Sequence, residues 1–173
     1  MTLAAPTSDC LGRLAVQVDD PRQLVCAACD MICHTAEHVR HKRGWFIPLL
    51  DALEIVQAAR DWLRDSSTLH ASAEKAREHA TWSPSSTSSM GPETAHYCAA
   101  ILLATMLEDL TAGKGNLAET LVSVAADCRR AGEYVESFDD SICPEEGDWQ
   151  IAYLESLLAT NGHSYNPEMQ VAQ

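Results

Sequence analysis

The sequence predicts an all-α protein, a bundle or short solenoid-like array of about six amphipathic helices. Hydrophobic residues fill 46% of the 173 positions while aromatic residues fill only 6%, a mix that suits packed helices better than sheets. Apolar side chains also recur at helical spacing through successive segments. Capping residues, Gly or Pro bound most of those segments.

Residues 1–18 form an N-terminal tail or short element. Met1 to Asp9 read as a loose tail, and Leu11, Leu14, Val16 and Val18 as a short helix or strand packed on the domain. One helical domain then spans residues 19–162. Its first clear helix runs from about Pro21 to His41, with Asp20 as N-cap and Pro21 in the first helical position. Leu24, Ala28, Met31, Ile32, Thr35 and Val39 share one face of it, and Gly44 marks its stop. The second runs from about Pro48 to Arg64 on a stripe that includes Leu49, Ala52, Ile55, Val56, Ala59 and Trp62.

Ser66, Ser67 and Thr68 are candidate caps for a third, alanine-rich helix at about Leu69 to Thr81, expected to pack lightly. Ser83 to Gly91 is a low-complexity loop dividing two helical halves. The fourth helix extends from Pro92 to about Thr111 and closes on Gly113. Asn116 opens the fifth in a variant capping box with Glu119, and that helix ends near Phe138. Pro144 to Gly147 reads as a turn, Asp148 as the cap of a sixth helix, and 163–173 as a disordered tail. No period of 34–45 residues marks a named repeat.

The net charge is −13, from 25 acidic and 12 basic side chains. That balance argues against nucleic-acid binding and against an anionic membrane surface. The longest apolar stretch, Tyr97 to Leu107, is about half the length that spans a bilayer. The N-terminus does not read as a secretory signal. Seven scattered cysteines do not make a disulfide framework, so reduced thiols in a cytoplasmic protein are expected.

One segment is chemically dense. Cys26, Cys29 and Cys33 line one stripe of the first clear helix, Asp30, His34, His38 and His41 a second, and Glu37 lies between them. Thiolates and imidazoles are ligands for zinc-type metals, so Cys26, Cys29, Cys33, His34 and His38 are candidate ligands. The reading preferred over a metal is core packing for the thiols and solvation for the histidines, because the distant candidates (His70, His79, His96, Cys98 and Cys128) form no second paired motif. No cofactor is expected under that reading. Asp30 with His34 could orient a base, but no nucleophile accompanies them. Phosphate loops, nucleophile elbows and the His-Glu-x-x-His motif are absent from the sequence, and no enzymatic activity is expected.

The second candidate region is acidic. Glu133, Glu136, Asp139, Asp140, Glu145, Glu146 and Asp148 fall in a short span opposed only by Arg129 and Arg130. A solvated helix end would explain it, and so would a docking surface for a basic protein. It lacks the spacing of a calcium loop.

Cys33-His34-Thr35-Ala36-Glu37-His38-Val39, followed by Ala58-Ala59-Arg60-Asp61-Trp62-Leu63 and by alanine-rich helices at Ala71–Ala80 and Ala95–Ala104, resembles the all-helical immunity proteins of bacterial polymorphic-toxin systems. The resemblance covers about half the chain. It implies binding and neutralising a cognate toxin without catalysis, and it names no site residues. Gly44-Trp45-Phe46-Ile47-Pro48 departs from the polar link of that pattern, as does the serine-rich loop. Three functions are therefore expected in order: an interaction module meeting a basic partner, a small metal-binding protein, and an accessory subunit of a larger assembly.

Overall fold

A computed structural model describes residues 7–43, 47–80, 92–136 and 145–161; within them, the side chains at 38–49, 92–94, 132–136, 145 and 161 lie outside the description. The serine-rich loop and the tail at 163–173 fall outside the described residues. The elements are α1 (Thr7–Ala15), α2 (Pro21–Arg43), α3 (Ile47–Arg64), a 3-10 turn (Ser66–Thr68), α4 (Leu69–His79), α5 (Pro92–Ala112), α6 (Leu117–Glu136) and α7 (Glu145–Asn161). No strand occurs among the described residues, and the protein is an all-α bundle. None of the described helices is long and apolar enough to cross a membrane.

Helices α2 and α5 occupy the centre. α2 meets α3, α5, α6 and α7, while α5 meets α2, α3, α4 and α6. α4 packs outside α3 and α5, and α1 packs on α6 and α7. The predicted apolar face of α2 is the buried one: Leu24, Ala28, Met31, Ile32 and Thr35 are all inaccessible. Ala52, Ala59, Ala99 and Ala100 are fully buried as well. Residues this small let helix backbones approach closely, and Ile55, Leu103, Met106 and Leu121 fill the spaces between them.

The caps follow from local chemistry. Asp20 Oδ1 accepts the Arg22 backbone N–H at 2.9 Å and opens α2. Asn116 Oδ1 accepts the Glu119 N–H at 3.2 Å, and its amide donates to Glu119 Oε2 at 3.4 Å. α5 ends in a Schellman arrangement. Gly113 N–H donates to Leu110 O at 3.2 Å, and Lys114 N–H donates to Asp109 O at 3.0 Å. Gly113 has a φ of 62°, a conformation that penalises any side chain.

Three expectations are corrected. The expected loose tail is already helical from Thr7, and of the helix or strand expected around Leu11 the helix is found, which makes seven α-helices among the described residues. Of the candidate caps for α4, Thr68 holds the N-cap position without a side-chain capping bond, while Ser66 and Ser67 lie inside a 3-10 turn that Asp65 caps, accepting from Ser67 N at 3.0 Å and from Ser67 Oγ at 2.7 Å. Finally, α7 begins at Glu145, so Asp148 lies within its first turns and is not its cap. Gly147, which looks like a turn residue, lies inside α7. A Cβ there would sit 3.1 Å from Thr7 Cγ2 and 3.5 Å from Arg129 Cδ, so its absence lets α7 approach α1 and α6.

Replacing Gly113 with Ala should lower stability by about 1 kcal/mol through the strained left-handed conformation. Urea denaturation of the variant and the wild type measures this, with an unchanged m-value expected.

Candidate functional site

Two helical stripes meet where α7 docks. On α2, Cys26, Asp30 and His34 follow one another at intervals of four. On α7, Glu146, Trp149, Gln150 and Tyr153 share one face at helical spacing. His34 Nδ1 lies 2.7 Å from Glu146 Oε2. The imidazole also stacks on Trp149, with ring centroids 3.9 Å apart and planes 1° from parallel. Glu146 is only 3% exposed, so its carboxylate depends on donors for its solvation. Gln150 supplies another, with Nε2 3.1 Å from Glu146 Oε1 and 3.1 Å from the Ala125 carbonyl.

The seam runs on through α6 into α1. Arg129 Nη1 donates to Gln150 Oε1 at 2.8 Å, and its Nη2 donates to Ser8 Oγ at 2.9 Å. Asp30 lies further along α2, between α7 and α3. Tyr153 donates its hydroxyl proton to Asp30 Oδ2 at 2.6 Å. Arg60 of α3 reaches Asp30 Oδ1 at 3.5 Å, and the Cys26 thiol lies 4.0 Å from Oδ2. Burial, together with the bond to Asp30, pushes the Tyr153 phenol well above its ordinary value. Burial and the Asp30 charge push the Cys26 thiol up.

The candidate metal ligands divide along these contacts. Cys29 is fully buried in the core, and Cys33 is half-buried. Burial raises both thiols, so each holds its proton. His34, expected to be solvated, keeps 32% of its side chain exposed but is stacked and hydrogen-bonded by α7, an element far away in sequence. The His38 side chain lies outside the described residues. Among the described residues, no three His, Cys, Asp or Glu side chains are placed to share an ion. The distant candidates sit in other pairs and in the core: His79 with Asp51 at 3.2 Å, His70 with Glu74 at 3.3 Å, and Cys128 fully buried.

The acidic stretch is also divided. Glu146, expected on an exposed docking surface, is buried, because α7 starts early enough to turn it onto α2. Asp148 is exposed, as is Glu155 about two turns further along the same face. Asp139 and Asp140 lie outside the described residues, as do the side chains of Glu133, Glu136 and Glu145.

Trp149, Gln150, Tyr153, Arg129 and Arg60 were not foreseen as site residues. The aromatic pair Trp149 and Tyr153, spaced like Glu146 and Gln150, was the available signal on α7. His96 is another buried polar group. It is fully inaccessible, and neither ring nitrogen has a hydrogen-bond partner among the described residues. Burial alone lowers its pKa to about 4. Comparison with protein-family models, curated proteins and solved structures yields no match.

Glu146→Ala removes the carboxylate that His34 and Gln150 address. It should cost about 2 kcal/mol and speed amide hydrogen exchange in α7 more than in α5. The His96 pKa is depressed from the ordinary 6.5 to about 4 in the folded chain, so the unfolded chain takes up its proton first. The associated stability is therefore complete above about pH 6.5, is lost as the pH falls, and levels off below about pH 4, a total of about 3 kcal/mol. The stability difference between wild type and His96→Leu, followed by denaturation across that window, should change by this amount.

Proposed function

We propose that this chain is a non-enzymatic protein-interaction module that meets a basic protein partner through its acidic C-terminal region. The observation that carries the proposal is the charge of α7. It holds four acidic residues and no Lys, Arg or His. Glu146 is spent inward on the seam, while Asp148 and Glu155 face solvent. The seam fixes the helix by one side and leaves the other for a partner. Asp139, Asp140, Glu133, Glu136 and Glu145 belong to the same stretch of sequence and add to its negative field.

The distribution of cations supports this reading. Arg60, Arg64, Lys75, Arg77 and Arg130 each lie beside a carboxylate of the same chain. With 25 acidic against 12 basic side chains, the acids outnumber the cations that could neutralise them. The resemblance to immunity proteins supplies the specific form: neutralising a basic toxin inside the cytoplasm, with no cofactor needed.

The test is co-expression with the product of the adjacent gene, followed by purification of the complex. A complex that weakens as salt rises, and loses at least tenfold in affinity when Asp139, Asp140, Asp148 and Glu155 are changed to Lys, is expected. No complex, or one indifferent to those four reversals, overturns the proposal.

A further inference from the structure

A different face of the bundle carries a pair of exposed arginines. Gln57, Arg60, Leu63 and Arg64 of α3 line a groove of about 400 Å³. Arg22 of α2 stands behind its wall. Its guanidinium lies 5.4 Å from the centroid of the Trp62 ring, and Nη2 donates to the Leu63 carbonyl. Two of the twelve basic residues of a strongly acidic chain thus line one groove, and a third is bonded to the backbone of its Leu63.

Two carboxylates oppose these three guanidinium groups. Asp61 accepts from Gln57 at 2.9 Å and from Arg64. Asp30 meets Arg60 at 3.5 Å, the long end of a hydrogen bond. Arg60 and Arg64 each direct one nitrogen at a carboxylate, and a guanidinium carries five N–H donors. Their side chains are 45% and 70% exposed, so both are open to a ligand. Leu63 gives the groove an apolar wall.

We propose that this groove binds a small oxyanion with an apolar body, a carboxylate or phosphate ester whose oxygens meet Arg60 and Arg64 and whose body lies against Leu63. Planar forks of donors suit paired oxygens, and the apolar wall favours a substituted anion over a bare one. Asp61 competes with the ligand for Arg64 and Gln57. The site is independent of the acidic surface on α7, so each can fail without the other.

Titration of the full chain with phenyl phosphate, hexanoate, inorganic phosphate and benzyl alcohol, followed by NMR of backbone and arginine side-chain N–H groups, tests this. Saturable shifts at Arg60 and Arg64 with phenyl phosphate or hexanoate are expected, in the millimolar range typical of small fragments. The stronger of the two identifies the head group. Inorganic phosphate should bind more weakly, and benzyl alcohol should not compete. The double variant Arg60→Gln/Arg64→Gln should lose at least tenfold in affinity with its thermal unfolding still cooperative. Asp61→Asn should bind several-fold more tightly, an effect that a merely structural ion pair would not produce. Absence of saturable binding, equal binding of benzyl alcohol, or weaker binding by Asp61→Asn overturns the proposal.

Discussion

Close approach of alanine-lined helices is the constraint from which this fold follows. With few aromatic residues available, the core cannot be filled by a handful of large rings. It is closed by bringing backbones together at Ala28, Ala52, Ala59, Ala99 and Ala100 and seating Ile55, Leu103 and Met106 between them. Small residues at the contacts leave little free volume, so the relative placement of α2, α3, α5 and α6 is tightly set. A larger side chain at any of these positions would separate two helices and disturb the contacts each makes with a third.

That arrangement determines what remains on the flanks. α2 is long enough to be buried on one face and to offer polar groups on another. α7 arrives there with a matching face, and the match is polar: Glu146 to His34 and Tyr153 to Asp30, with Gln150 bonded to the Ala125 carbonyl of α6 alongside. Buried groups of this kind add less net stability than apolar ones but penalise any misregister, because a shift leaves a carboxylate or an amide without a partner. The seam therefore sets the rotation of α7, and with it which acids turn inward and which face solvent.

The same packing explains the chemistry of the thiols. Cys26, Cys29 and Cys33 form a stripe that suggests ligation when read alone. In the bundle, the core covers Cys29 while Asp30, with its bonds to Tyr153 and Arg60, organises the surroundings of Cys26. Burial holds these sulfurs as thiols, which are poor nucleophiles and poor ligands until deprotonated. Within the stripe, Cys29 is a core residue, while Cys26 and Cys33 are only partly buried.

By itself, the sequence determined the helical class, the positions of most helices and the inward face of α2, since periodicity and capping act within a few residues of one another. Asp20, Asn116 and Gly113 do locally what their chemistry dictates. It also marked α2 and the acidic stretch near α7 as the places where polar chemistry concentrates. Only the tertiary structure decided that these two places touch. Glu146 and His34 are 112 residues apart, and no local pattern encodes which flank of one helix another will cover. Gly147 shows the same limit: a glycine that reads as a turn lies inside a helix, where a Cβ would crowd Thr7. Packing between distant segments thus turned an expected surface carboxylate into a buried anchor, and an expected solvated histidine into its partner.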